Sequence, residues 1–253
     1  MPINYLSALT SPKRSARTNL HLGVTLAAIA GALNAGGFLA VGQYTSHMTG
    51  MLAAATDDLV LGRFLPAMAA LFALFSFATG AACTALIVNF AKRNHLPYIY
   101  TPVLLIEALL LLIFGLIGTK LQQHEVITVS FTTLMLCYTM GLQNALITKI
   151  SNAEIRTTHV TGLVTDIGIE VGKLIYWNKN RDELHPDEEV GANMNKLRLH
   201  LMLVVSFFVG GVLGAFAFKH FGFVSTVPLS IALIILSLAP NLKQRLKSIA
   251  PKK

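Results

Sequence analysis

Two histidines, His47 and His159, carry the side chains best suited to exchanging a proton near neutral pH, and each sits beside a long apolar run. In such a setting an imidazole can serve as a proton-coupling group or a contact for a polar solute. Asn34 and Asn144 stand upstream of the two histidines and offer both hydrogen-bond donors and acceptors, suited either to solute contact or to joining helices. Gln143, Thr45, Thr49, Thr157, Thr158 and Thr161 complete the polar set, mostly as groups able to cap helices or satisfy backbone. Glu107 is the single formally charged residue inside any apolar run, and an intramembrane carboxylate is by default a candidate functional group. Asp166 follows the second histidine on a segment where Asp166, Glu170 and Lys173 share one helical face, which predicts an amphipathic, partly interfacial helix.

Other chemistries lack their residues. The chain has no phosphate-cradling glycine loop with lysine, no nucleophile elbow, and no HExxH or CxxC pattern. The histidines with Asp57 or Asp166 have no diagnostic metal spacing, so neither a metal nor a cofactor is expected. Cys83 and Cys137 lie within apolar runs and are read as small buried or lipid-facing residues.

The elements that must position these groups follow from composition. Of 253 residues, 54% are hydrophobic and 13% charged, against about a quarter charged in a soluble domain. Such a chain cannot cover a water-facing surface, which excludes a soluble enzyme, a disordered protein and a disulfide scaffold. Six runs approach the about 20 residues needed to cross a bilayer, at 20–42, 64–91, 99–118, 126–148, 199–218 and 221–239. Backbone amides in hydrocarbon must be bonded within their own segment, so the runs are expected to be helices and the protein all-α. With the N-terminus inside and the spans alternating, 17 Lys and Arg fall on the inner side and 3 (Arg63, Lys120 and Lys219) on the outer. This places both termini on the inner, cytoplasmic side of the membrane. The net charge of +8 then reflects inner loops rather than a nucleic-acid partner.

The chain also repeats itself. AGALNAGGFLAVGQYTSHMTGML begins within the first run, and MGLQNALITKISNAEIRTTHVTGLV within the fourth. Gly31, Asn34 and Ala35 match Gly141, Asn144 and Ala145 at an offset of 110. Thr45, His47, Thr49 and Gly50 match Thr157, His159, Thr161 and Gly162 at an offset of 112. A unit of three spans must enter the membrane the second time from the opposite side. The expected architecture is therefore two inverted-topology three-helix repeats, 20–119 and 120–239, each interrupted after its first span. Thr49 and Thr161 are expected to cap the helices after the breaks, and His47 and His159 to approach one another near the midplane. Residues 1–19 are read as an N-terminal tail, 178–195 as an acidic inner loop, and 240–253 as a basic tail.

On these two motif copies the chain resembles the YoaK family of bacterial multi-pass membrane proteins, over about residues 20–239, the second copy being the more specific. The resemblance implies a membrane protein of unknown function, with a permease role implied only weakly. It also implies an aspartate at the position where this chain has Asn34. The composite expectation is a secondary transporter for a small solute, with proton coupling through a histidine or Glu107. Its partners would be the bilayer and that solute, with a homo-oligomer left open. The alternatives are an intramembrane enzyme on a lipid-linked substrate and a structural or signalling partner acting through the acidic loop.

Overall fold

The computed structural model describes residues 5, 9, 16–96, 98–121, 125–151, 155, 157–176 and 190–249, without the side chains of 16, 117, 119–121, 125–130 and 240–249. Among the described residues all regular structure is helical: α1 (Ala16–Val41), α2 (Met48–Val60), α3 (Phe64–Arg93), α4 (Thr101–Leu121), α5 (Glu125–Ile150), α6 (Val160–Ile175), α7 (Met194–Phe221) and α8 (Thr226–Ile249). Among the described residues three stretches are long and apolar enough to cross a membrane: Arg17–Val41, Phe64–Arg93 and Met194–Ala239. The third contains the fifth and sixth expected runs. One turn of 3-10 helix at Gly222–Ser225 divides it into α7 and α8, with Gly222 at φ +58°, a conformation that favours glycine. The third expected run coincides with the shorter apolar helix Thr101–Leu116. The fourth lies on α5, which is helical throughout and carries Thr139, Gln143 and Asn144.

Helix pairing follows small residues and hydroxyls. In hydrocarbon there is no hydrophobic drive between helices, so close approach and inter-helix hydrogen bonds must hold them together. The α1 and α7 helices run parallel: a Cβ on Gly31 would overlap the Phe207 carbonyl oxygen, and one on Gly210 the Ala28 carbonyl oxygen. Ser206 Oγ donates to the Val24 carbonyl at 2.6 Å across the same seam. The parallel pair α3 and α5 repeats this arrangement. A Cβ on Gly141 would overlap the Phe77 carbonyl oxygen, one on Gly80 the Tyr138 carbonyl oxygen, and Ser76 Oγ donates to the Leu134 carbonyl at 2.7 Å. Every α1 and α5 position in these contacts is offset by 110, and every α3 and α7 position by 130.

The α4 and α8 helices run antiparallel. Thr101 Oγ1 donates to Ser237 O (3.0 Å), Ser230 Oγ to Ala108 O (2.7 Å) and Thr226 Oγ1 to Leu111 O (2.8 Å). The α1 and α5 helices also cross antiparallel, with Gly37 near Leu136 at one end and Ile155 near Gly23 at the other. We call the end where α1 begins proximal and the other distal. The largest core, with Leu22, Leu26, Tyr100, Leu104, Leu146, Ile147, Ile155 and Leu236, lies toward the proximal end. A smaller cluster of Val41, Phe114, Leu136 and Phe218 closes the distal end.

Candidate functional site

Each motif copy breaks a helix in the same way. After α1, Gly42 turns the chain at φ +74°, and α2 starts six residues later with His47 at its N-cap position (φ −91°, ψ 66°). After α5 the chain reaches α6 with His159 at the equivalent position (φ −85°, ψ 54°). Neither side chain makes a capping bond. Each ring instead lies over the glycine three residues on, Gly50 or Gly162, where a Cβ would overlap it. Thr49 and Thr161 were expected as caps, but both lie one residue inside the helices, exposed. The break closes earlier than expected because the ring needs the open glycine face.

The histidines do not meet. His47 follows the distal end of α1 and His159 the proximal end of α5, and both are exposed. Antiparallel crossing of α1 and α5 puts the two breaks at opposite ends, so the expected approach near the midplane is not found.

The motif asparagines differ in their bonding. Asn34 Oδ1 accepts from the Ser46 N–H (3.1 Å) and from Ser46 Oγ (2.9 Å), which ties the end of α1 to the turn before α2. Asn144 Oδ1 is buried and has no partner, although Thr158 stands where Ser46 stands in the first copy. Thr45 and Thr157 are both fully buried with unpartnered hydroxyls.

A second polar layer lies deeper. Glu107 on α4 and Gln143 on α5 are each 0% exposed. Both carboxylate oxygens and both amide heteroatoms lack a hydrogen-bond partner. Buried polar groups are nearly always satisfied, so four orphaned atoms on two packed helices require a reason.

The acids outside the spans secure the short helices. Asp58 on α2 pairs with Arg63, which precedes α3, at 2.6 Å. Its counterpart at an offset of 112, Glu170, accepts from the Asn193 N–H just before α7 (2.6 Å) and from Lys173 (3.0 Å). The bond from the Asn193 amide, followed by Lys173, holds the Glu170 carboxyl below its ordinary value. Asp166 joins the same junction through Lys196 (3.3 Å) and His200 Nδ1 (3.6 Å). The α6 helix therefore buries Glu170 against the bundle and exposes Val164, Ile169, Leu174 and Ile175, an apolar face suited to lipid. Most of the expected acidic loop, 177–189, lies outside the described residues.

Sequence reasoning missed three features: the acid eight residues after each Thr-Gly, the Ser-Phe-x-x-Gly pair at 76–80 and 206–210, and an apolar groove. The groove, about 550 Å³, runs between α1, α7 and the start of α8, lined by Ala28, Ala32, Gly214, Phe218, Val224 and Pro228. It opens where α1 and α8 barely touch, whereas α4 packs along α5. The first was legible as a match of acids at the offset of 112, and the second as three identities at a further offset of 130.

Comparison with known proteins adds family-level likeness. The family described as a protein of unknown function (DUF1275) matches residues 22–239. The UPF0700 transmembrane protein YoaK of Bacillus subtilis (strain 168) is 23% identical over 198 residues, covering 76% of this chain and 82% of that protein. No solved structure matches.

Proposed function

The chain belongs to the DUF1275 family, and from that premise we propose that this integral membrane protein is a secondary transporter for a small polar solute. It is built as two inverted three-span halves, 20–119 and 120–239. The observation that carries this reading is the matched set of contacts. The α1–α7 seam and the α3–α5 seam use equivalent residues at fixed offsets, each joining a helix of the first half to a helix of the second. Two inverted copies exchanging helices about an in-plane axis would produce such pairs. The parallel direction of both seams and the antiparallel α4–α8 pair fit six alternating spans. The orientation is that of the base count, with both termini in the cytoplasm of a bacterial plasma membrane.

Non-helical backbone and unsatisfied polar atoms are tolerated at membrane depth where they line a cavity or meet a guest. Glu107 and Gln143 fit the place where a solute crosses, and Glu107 can carry the coupling proton. Asn144, Thr157 and Thr158 form the loose gate at the proximal end, and Asn34, Thr45 and Ser46 the tied one at the distal end. His47 and His159 are then groups at the two mouths rather than a central pair.

The test is reconstitution into liposomes with an imposed pH gradient and a mixed panel of isotope-labelled small metabolites, followed by mass spectrometry of the lumen. The reading expects one or a few solutes to accumulate chemically unchanged. Conversion of a solute or lipid without accumulation would replace transport with intramembrane catalysis.

A further inference from the structure

Glu107 lies six residues past the start of α4, and Gln143 seven residues before the end of α5. At 1.5 Å per residue these are depths of about 9 Å and about 10 Å from the same, proximal end, because consecutive packed helices run antiparallel. Their neighbours Leu104, Ala108, Leu111, Met140, Leu142 and Leu146 belong to one continuous core. The two orphaned side chains therefore share a layer between helices that touch.

The layer lacks a positive charge. Among the described residues no Lys or Arg is buried. An isolated carboxylate in such surroundings is strongly disfavoured unless something neutralises it. A proton neutralises Glu107 while the layer is empty; for a guest that meets the ionised carboxylate, the hydrogen-bond arithmetic narrows the choice. An ionised Glu107 only accepts. Gln143 accepts at Oε1 but must donate from Nε2. An alkali cation would answer the carboxylate and Oε1 but leave Nε2 without an acceptor. A zwitterion would answer Nε2 but bring a second negative charge beside Glu107. A diol would answer Gln143 and leave the charge unbalanced.

We propose that Glu107 and Gln143 bind a small primary ammonium ion that carries a neutral acceptor oxygen a few ångströms from its nitrogen, the chemistry of an amino alcohol or an amino amide. The ammonium meets Glu107 and Gln143 Oε1, and the neutral oxygen accepts from Gln143 Nε2. This inference names the solute class of the transport reading and rests on it for purpose, but the site is defined by binding alone.

The experiment uses the full chain in phosphatidylcholine nanodiscs, which contain no primary amine. Thermal midpoints are measured with ethanolamine, 3-aminopropanol, glycinamide and 4-aminobutanamide. The comparison probes are 1,3-propanediol, glycine, β-alanine, propylamine, sodium chloride and potassium chloride. At about 10 mM, at least one amino alcohol or amino amide should raise the midpoint by about 3 °C or more. Glu107→Gln should abolish the shift, and Gln143→Leu should weaken the apparent affinity about tenfold. Size-exclusion profiles and the midpoints without ligand show that each variant is folded. If Glu107→Gln does not fold, Glu107→Asp should weaken binding while keeping the preference for cations.

A shift given by no amine, by salts alone, or by diols or zwitterions in preference to amines would overturn the proposal. So would a shift that survives in folded Glu107→Gln. Because nanodiscs have no compartments, binding without flux in liposomes would retain this site and end the transport reading. Flux of a neutral solute with no amine binding would do the reverse.

Discussion

The break after α1 and the break after α5 share seven residues in order, yet the first is tied and the second is not. Asn34 closes its turn with two bonds to Ser46, while Asn144 keeps a buried carbonyl oxygen without a partner. The same inequality recurs between helices, where α4 packs along α5 and α1 stands off from α8 across an apolar groove. Related motifs in unequal arrangements suit two states of one device, and the proposed transport cycle would interchange them.

The largest expected effects test the equality. Gly31→Ala and Gly141→Ala each push a methyl into a helix backbone carbonyl that has no side-chain freedom to yield. Each should cost about 2–3 kcal/mol, measured as loss of folded yield and thermal midpoint, and the two losses should be similar. If one glycine tolerates alanine and the other does not, the two seams are not equivalent.

The next pair tests the inequality. Asn34→Ala removes a bonded acceptor and leaves a backbone donor exposed to the turn, costing about 1–2 kcal/mol. Asn144→Ala removes an unpartnered one and should change stability by less than about 0.5 kcal/mol. Equal costs would mean that the second break is tied as firmly as the first.

Glu107→Met should raise the stability of the unliganded protein by about 1 kcal/mol, since replacing an unpaired buried acid with an apolar side chain of similar shape removes a desolvation cost. The same variant should lose solute accumulation in liposomes. A destabilised variant would show that Glu107 has a structural partner.

The smallest effect concerns the short helices. The Glu170 carboxyl is held below its ordinary value in the folded state, so its contribution is present above the unfolded value near 4.5 and fades as pH falls through and below it. Hydrogen exchange of the α6 amides, corrected for intrinsic rates, should show looser docking at pH 4 than at pH 7. Glu170→Gln should remove most of that difference. An unchanged α6 across this range would mean that the exposed apolar face, rather than the Asn193 and Lys173 bonds, holds the helix.

Much of this fold was legible because membrane helices follow a simple rule: apolar runs must be helical. Each of the six expected runs lies wholly or largely on a helix of the described residues. The identities at 110 and 112 located both breaks. Alternating spans already put the end of the first run and the end of the fourth on opposite sides, so the placement of His47 and His159 at opposite ends was legible, and the expected approach near the midplane ran against it. Sequence did not separate Asn34 from Asn144, since both stand at matched positions of the repeat and only the three-dimensional structure shows which one is bonded. Glu107 stood out by charge alone, but Gln143 looked like one more member of the motif until burial set it beside the acid. The Thr caps were misplaced because a histidine ring lying over Gly50 and Gly162 fits the first turn better than a hydroxyl one residue on.

The central claim is that the two halves hold interchangeable arrangements, and distances within the membrane test it most directly. Spin labels would be placed at Leu39 and Val224, flanking the open α1–α8 side, and at Lys149 and Leu105, flanking the packed α5–α4 side, in protein whose Cys83 and Cys137 are replaced. Leu39, Val224 and Leu105 are exposed and Lys149 partly so, which leaves room for the labels. Pulsed dipolar distances in nanodiscs should show two populations for each pair, with the α1–α8 distance shortening as the α5–α4 distance lengthens when a bound amine or a change of pH shifts the balance. Single, unmoving distributions at both pairs would contradict the account and leave the sequence repeat as a matter of packing.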